Sequence, residues 1–175
     1  MSVSKKLCLL CALAAVLAFA AYPAWAENGT DKLPAIAMQQ SDLTISVKAV
    51  QTAGLVSALQ SCGPFTVFAP IDCAWAKLSK PTVEELLSGC NKAMLTSILA
   101  YHAVKGNYSL CDLQNMKCPG ILKTLGGGTL TITQKNGCVY VNNAKVIGDG
   151  IPAKNGMLFK IDMVLIPPGC RVQSQ

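Results

Sequence analysis

Apolar residues between positions 43 and 59 recur at steps of three and four, which is the spacing of one face of an α-helix. They are Leu43, Val47, Val50, Leu55, Val56 and Leu59. Gly54 interrupts this run, so the pattern predicts two short helices, with Ser41 or Asp42 capping the first. Further helices are predicted after Asp72, which suits an N-cap, and after Asn91, where residues 94–102 keep the same spacing.

Short β-prone runs predict strands in the rest of the chain. Residues 65–69 form one such run, and residues 129–133 and 138–141 alternate on either side of Asn136-Gly137. Asn-Gly between alternating runs predicts a hairpin, because both turn residues tolerate a positive φ. A second pair, Asn155-Gly156, precedes a strand over residues 157–165 whose odd positions are predicted to be buried. Helices first and strands afterwards indicate an α+β fold rather than a parallel βαβ sheet.

The first 26 residues have the pattern of an export signal. Lys5 and Lys6 precede a run of 15 apolar residues at positions 7–21, and Ala24-x-Ala26 follows. This order predicts a secretory signal peptide that is cleaved after Ala26. The alternative is a retained membrane anchor, but such a helix needs roughly 20 apolar residues, and Pro23 interrupts this one too early.

The remaining chain is predicted to be one domain without a stable membrane span. We divide the sequence into the signal peptide (1–26), a flexible lead (27–40), the domain (41–170) and a C-terminal tail (171–175). Without the two leader lysines, 13 of the 15 basic residues remain against 9 acidic ones, a net charge of +4. These basic residues are scattered, whereas nucleic-acid binding needs them clustered on one face. Nucleic acid is therefore excluded as a partner.

The sequence contains few residues that could act in catalysis or bind a cofactor. His102 is the single histidine, and no ligand set for a metal or arrangement for nucleophilic catalysis surrounds it. Seven cysteines follow the signal peptide without a C-x-x-C pair, which argues against a zinc ribbon or a thioredoxin-like centre. In an oxidising compartment they predict up to three disulfides and one remaining thiol. We expect no catalytic residue, metal or cofactor.

Three segments resemble the signature segments of the fasciclin domain family. They are residues 63–72 (GPFTVFAPID), residues 98–106 (ILAYHAVKG) and residues 141–165, which contain VNNA and IDMVL. Together they follow the family's order and spacing over about residues 41–168. The resemblance implies a fasciclin-like α+β fold, a twisted β-wedge with an N-terminal helical layer. It also implies a non-enzymatic role in adhesion or extracellular recognition.

The resemblance also nominates binding residues. In animal members of the family the Tyr-His pair and its neighbours are implicated in receptor contact, which makes Tyr101 and His102 candidates. Asp149 and Ile151 match a second segment discussed as a recognition element. The structural alternatives are a packed histidine with a satisfied ring, a turn aspartate between two glycines, and a core isoleucine.

Disulfide pairs follow partly from the same resemblance. The family fold places the first and last strands side by side, which makes the cysteines that flank them a candidate pair. A short polar segment suggests a second pair, and the third is assigned with less support. The predicted pairs are Cys62 with Cys170, Cys111 with Cys118, and Cys73 with Cys90, which leaves Cys138 free.

Three classes of function remain at this point. The first is a secreted adhesion module, extracellular or periplasmic, whose partner is a cell-surface or extracellular protein or a polysaccharide. The second is a periplasmic or surface domain that binds a small ligand, a lipid or a polysaccharide, which a closed apolar pocket would favour. The third is an enzyme or thiol-redox protein, which a reactive exposed cysteine would favour.

We predict that the native protein begins at Glu27. Signal peptidase cuts after an A-x-A site, so the intact mass of the protein purified from its source should correspond to residues 27–175. A chain that retains Met1 and fractionates with membranes would contradict this expectation.

Overall fold

The computed structural model describes residues 31–61, 63–89, 91–117 and 119–170, with the backbone alone at residues 80–82. Its elements are α1 (Leu33–Met38), α2 (Thr44–Ala53), α3 (Val56–Leu59), β1 (Phe65–Pro70), α4 (Asp72–Ala76), α5 (Lys80–Leu87), α6 (Lys92–Tyr101), β2 (Ala103–Lys105), α7 (Leu110–Asn115), β3 (Gly120–Lys123), β4 (Thr129–Lys135), β5 (Cys138–Val141), β6 (Ala144–Ala153) and β7 (Gly156–Ile161). Helices dominate the first half and strands the second. The prediction of an α+β fold is confirmed.

The strands form one seven-stranded sheet in the order β2-β1-β7-β6-β5-β4-β3. All neighbours are antiparallel except β1 and β7, which run parallel, with Phe65 beside Gly156 and Pro70 beside Ile161. A bridge between Val104 and Thr124 connects the two ends of the order. The sheet therefore curls around one face, which becomes the interior.

Two faces of the sheet bury different sets of residues. The interior face holds the sheet cluster, which includes Phe68, Leu130, Ile132, Val141 and Phe159. The opposite face of β1 and β7 is covered by α1, and Leu33 and Ile36 pack there on Ala69 and Leu158. Trp75, Leu95 and Ile98 belong to a third cluster, the helical cluster, formed among α2, α4, α5 and α6.

Strand β7 is covered on both faces, and this explains why its burial differs from the predicted alternation. The sequence predicted burial of odd positions only, but Met157, Leu158 and Phe159 are all buried. Met157 and Phe159 point into the sheet cluster, and Leu158 packs under α1. A strand with covered faces loses its alternation. The strand also ends at Ile161, earlier than the predicted residue 165.

Gly54 separates α2 from α3 as predicted, because it takes the left-handed conformation (φ 74°) that ends α2. The caps predicted at Ser41 or Asp42 and at Asp72 were wrong, whereas Asn91 does occupy the N-cap position of α6. Leu43 occupies the N-cap position, and Asp72 caps α2 across 27 residues: its carboxylate accepts the Ile45 N–H at 2.9 Å and the Thr44 hydroxyl at 2.7 Å. Asp72 does not cap its own helix, since it is the first residue of α4. The carboxylate supplies the acceptor that an apolar N-cap lacks.

Residues 33–38, within the segment predicted to be a flexible lead, form helix α1. Pro34 is tolerated in the first turn, where its missing N–H leaves no bond unmade. Asn155 holds this helix in place. Its Oδ1 accepts the Leu33 N–H at 2.9 Å, and its Nδ2 donates to the carbonyls of Leu59 at 2.6 Å and Ser61 at 3.2 Å.

The segment between residues 106 and 128 contains elements that the sequence pattern did not predict. Helix α7 starts with a reciprocal cap, in which the Asp112 N–H donates to the Ser109 hydroxyl and the Asp112 carboxylate accepts the Ser109 N–H. Strand β3 then pairs with β4. Both elements are short, so neither produces a long periodic pattern.

We predict that Asn155→Asp unfolds more easily than the native chain. The buried carboxylate would face the two carbonyl oxygens that Asn155 now donates to, and an unsatisfied buried group costs about 1–3 kcal/mol, more when charged. Urea unfolding at pH 7 measures the change. Asn143→Asp, at an exposed asparagine, is the matched control and should stay within about 0.5 kcal/mol. Equal stability of the two variants would remove Asn155 from this role.

Candidate functional site

Tyr101 ends helix α6 and is buried, with 5% of its surface exposed. Its hydroxyl donates to the Thr129 carbonyl at 2.8 Å and accepts from Asn142 Nδ2 at 3.4 Å. The side chain therefore connects α6 to β4 and to the turn between β5 and β6. A tyrosine with its ring and hydroxyl engaged in this way presents no surface to a partner.

His102 follows at the C-cap of α6 and is 2% exposed. Its Nδ1 lies 2.7 Å from the Ile98 carbonyl oxygen, and its Nε2 lies 3.0 Å from the Leu165 backbone nitrogen. A carbonyl can only accept and a backbone N–H can only donate. The geometry thus assigns the proton to Nδ1 and the lone pair to Nε2, in a neutral ring.

This environment shifts the pKa of His102. Burial lowers the pKa from its ordinary 6.5 to about 4, and the hydrogen bond to the Ile98 carbonyl opposes the shift in part. Protonation would place an N–H on Nε2, opposite the N–H of Leu165, and two donors cannot share that position. With both nitrogens engaged, His102 has no free group for a metal, a substrate or a binding partner.

Asp149 lies on the outside of the fold. It is exposed between Gly148 (φ 74°) and Gly150 (φ 86°), where the pairing of β6 with β7 shifts register between Ile147 and Ile151. A Cβ at position 150 would lie 2.5 Å from the Phe159 ring. Glycine is required there both for its φ and for this close approach, so the bulge is held against the core.

The Asp149 bulge forms one wall of an open groove of about 470 Å³. The other lining residues include Leu110 and Gln114 of α7, Cys138 of β5, Lys145 and Ile147 of β6, and Asp162. Neither Tyr101 nor His102 lines this groove. Ile151, the fourth predicted site residue, is half-buried and packs beside Leu158 and α1. The structure therefore separates the residues that the sequence grouped.

Sequence reasoning did not find the groove residues other than Asp149. Lys145 and Ile147 occur in a strand where alternation alone gives them no special role, and the α7 residues belong to a helix that was not predicted. The one local signal was Gly148-Asp149-Gly150, because paired glycines inside a strand pattern indicate a bulge. The rest of the groove depends on tertiary packing.

A second cavity, about 50 Å³, lies among α1, α2, α3 and the sheet. Its lining is almost wholly apolar, and the hydroxyl of Ser46 there is engaged with the Pro70 carbonyl and with Trp75 Nε1. Pockets for drug-sized ligands occupy about 300–1,000 Å³. The cavity is thus far smaller than a ligand or lipid site needs.

Within the described residues, Cys73, Cys111, Cys138 and Cys170 form no disulfide with one another. Cys62, Cys90 and Cys118, the predicted partners of Cys170, Cys73 and Cys111, lie outside the described residues, so the three pairings stay predictions. The pair of Cys62 with Cys170 was predicted on the assumption that the start of the first strand lies near the end of the last one. The strand directions do not support this assumption. β1 and β7 are neighbours but parallel, so the start of one and the end of the other lie about 17 Å apart.

The described part of the chain contains no group of three His, Cys, Asp or Glu side chains that could hold a metal. Among the same residues, no helix is long and apolar enough to cross a membrane.

Comparison with known proteins gives a consistent assignment. The model of the Fasciclin domain family matches residues 41–167. Protein sll1483 of Synechocystis is 45% identical over 122 residues, or 70% of this chain and 66% of that protein. The cell surface glycolipoprotein MPB83 of Mycobacterium bovis is 35% identical over 106 residues, or 61% of this chain and 45% of that protein. The chain thus spans less than two thirds of either relative.

A solved structure matches in fold. The FAS1 domain pair of the insect cell adhesion molecule Fasciclin I superposes with a TM-score of 0.69 at 19% identity, over 79% of this chain and 52% of that chain. At this identity the match shows a shared fold. It confirms the prediction of a fasciclin-like fold.

We predict that His102 makes stability depend on pH between 6.5 and about 4. The folded-state pKa is lowered to about 4, so in this window the unfolded chain binds a proton that the folded chain does not. The contribution is fully present above pH 6.5 and is lost as the pH falls, by roughly 3 kcal/mol in all. Urea unfolding at pH 7, 6 and 5 measures the slope.

His102 is the single histidine in the sequence, so no other imidazole titrates between pH 6.5 and 5, and carboxylates titrate mainly below this range, near pH 4. His102→Gln is the control, because it removes the titrating group. It should be less stable at pH 7 by about 1–3 kcal/mol and nearly flat in this range. A flat profile for the native chain would show that His102 is not a buried neutral ring.

Proposed function

The chain belongs to the fasciclin domain family, and we propose that it is an exported, non-enzymatic module for adhesion or recognition outside the cytoplasm. The observation that carries this proposal is the exposed Asp149 bulge beside its groove. Binding residues usually lie on loops that a rigid scaffold positions. The bulge meets this description, since Gly150 fixes it against Phe159 and Asp149 projects into solvent.

The groove adds area that a partner can use. Ile147 offers an aliphatic surface that is 38% exposed, and Lys145 and Asp149 supply opposite charges on either side of it. A mixed lining of this kind favours recognition of a protein segment or a surface polymer over capture of a small apolar molecule. The 50 Å³ cavity gives no support to the alternative of a ligand or lipid carrier.

A non-enzymatic role agrees with the state of the candidate groups. The buried imidazole of His102 has both nitrogens engaged, which removes it as a general base. Export agrees with the predicted signal peptide and with MPB83, a relative that is a cell surface glycolipoprotein. Cleavage after Ala26 and a periplasmic or extracellular location remain part of the proposal.

We predict that Asp149→Ala loses attachment without losing stability. Residues at the centre of an interface carry most of its binding energy, so binding of the labelled protein to cells of its source should fall about tenfold. Stability should stay within about 0.5 kcal/mol, because the side chain is exposed. Flow cytometry and thermal melting on the same samples measure both.

Glu84→Ala, at an exposed acidic residue on α5, is the matched control for the loss of one negative charge. It should attach normally. If Asp149→Ala also attaches normally, the bulge is connective structure and the proposed recognition site is rejected.

A further inference from the structure

The outer face of β3, β4, β5 and the first part of β6 carries a regular set of polar side chains. Paired residues on neighbouring strands share a face, and so do residues two apart along a strand. The register pairs Lys123 with Thr129, Thr133 with Tyr140, and Tyr140 with Lys145. We call these polar residues the open sheet face: Lys123, Thr129, Thr131, Thr133, Lys135, Tyr140 and Lys145. Three less polar side chains lie among or beside them, namely Ile121 opposite Thr131, Cys138 opposite Lys135, and Ile147 two residues after Lys145.

The open sheet face points outward because the apolar residues that alternate with it on the same strands face the interior. Leu130, Ile132 and Val139 alternate with its residues and fill the sheet cluster. The lysines and Thr129 are exposed, and the other two threonines and Tyr140 are half-buried. Its polar groups are thus held on well-anchored strands.

Three ammonium groups on this face have no carboxylate partner among the described residues. The ion pairs found in the described part of the chain use Lys77 and Lys160, and neither lies on the face. The acid at its rim, Asp162, already accepts the Lys145 N–H at 2.7 Å and lies 3.9 Å from Lys77 Nζ. The face therefore has a concentrated positive charge, although the whole chain is only mildly basic.

The hydroxyls of the face are also available. Within the described residues, the side chains of Thr129, Thr131 and Thr133 donate no hydrogen bond, and their backbone groups alone take part in the sheet and in contacts with Tyr101 and Asn142. The Tyr140 hydroxyl has no hydrogen-bond partner in the same part of the chain either. Side chains repeat about every 6.6–6.8 Å along a strand and about 4.8 Å between strands, which gives a two-dimensional lattice of donors.

We propose that the open sheet face binds an acidic polysaccharide. Its lysines match the carboxylates of such a polymer, its threonines match the sugar hydroxyls, and the Tyr140 ring supplies an amphipathic surface for the sugar face. A repeating lattice suits an extended polymer with a repeating unit. A membrane surface would need a broad apolar band, whereas the exposed Ile121 and Ile147 are separated by the polar residues of β4 and β5. Single-stranded nucleic acid would need several aromatic rings for stacking, and the set contains one, Tyr140.

This surface is distinct from the recognition site proposed at Asp149. The two share Lys145, which also lines the groove, but Asp149 carries the charge that repels a polyanion. Asp149→Ala should therefore leave polysaccharide affinity unchanged or slightly higher, whatever it does to cell attachment. Cell attachment and polysaccharide affinity therefore test the two proposals separately, and one proposal can fail while the other holds.

The test uses the mature chain with carboxymethyl dextran as the probe and uncharged dextran as the reference polymer. Isothermal titration at low salt should show binding to carboxymethyl dextran alone, weakened by added salt because exposed charges are screened. The triple variant Lys123→Gln, Lys135→Gln, Lys145→Gln should bind about tenfold more weakly, since each exposed ion pair is individually weak. Thr131→Val, which removes one hydroxyl at constant shape, should weaken binding about threefold.

The charge-matched control is Lys48→Gln, Lys92→Gln, Lys154→Gln, at three lysines exposed elsewhere on the molecule. It should bind within about twofold of the native chain, since its lysines lie away from the face. Equal weakening of both triple variants would reduce the effect to net charge and overturn the proposal. So would equal affinity for uncharged dextran, an unchanged affinity of Thr131→Val, or tighter binding to vesicles of phosphatidylglycerol than to the acidic polymer.

Discussion

The hydrogen bonds of His102 reach three parts of the chain: helix α6, strand β1 and the segment after β7. Its ring donates to Ile98 in its own helix and accepts from Leu165, 63 residues later. Its backbone carbonyl accepts the Phe68 N–H of β1 at 2.9 Å. Without the ring the Leu165 N–H would lose its acceptor, whereas the Ile98 carbonyl would keep the His102 backbone N–H at 3.2 Å. An unsatisfied buried group costs about 1–3 kcal/mol. One residue thus fixes α6, β1 and the segment after β7 in a single arrangement.

The position of these bonds explains their importance. Leu165 belongs to the sheet cluster, whereas its neighbours Val164 and Ile166 pack on the helical cluster. Ile98 and Tyr101 are divided between the same two clusters. His102 therefore sits at the seam between two apolar cores. Apolar packing is non-directional, and the directional bonds of the imidazole set how one core is placed on the other.

Local pattern was enough to predict the features that depend on local chemistry. Gly54 ends α2, and Asn136-Gly137 forms the turn between β4 and β5, with a positive φ at both residues. The features that were missed depend on distant partners. Asp72 caps a helix 27 residues away, α1 is held by Asn155, and the parallel contact of β1 with β7 buries Leu158 under that helix. No short stretch of sequence contains both residues of such a pair, so a local pattern cannot predict the contact.

The same distinction applies to the site. Resemblance grouped Tyr101, His102, Asp149 and Ile151 by their motifs, but motif membership does not distinguish a residue kept for packing from one kept for contact. The structure buries the first two and exposes Asp149. We therefore propose that recognition uses the outer surface, namely the bulge and the open sheet face, while the Tyr-His pair packs within the scaffold that carries them.

The central claim is that His102 is a buried, neutral, Nδ1-protonated ring bonded to Leu165. Nitrogen NMR of the ¹⁵N-labelled protein tests it directly, because the two ring nitrogens have different shifts when one is protonated and the other accepts a hydrogen bond. The account predicts a protonated Nδ1 and an unprotonated Nε2 that persist from pH 7 to 5, with titration only near the pKa of about 4. An Nε2-protonated ring, or a titration midpoint near 6.5, would contradict it.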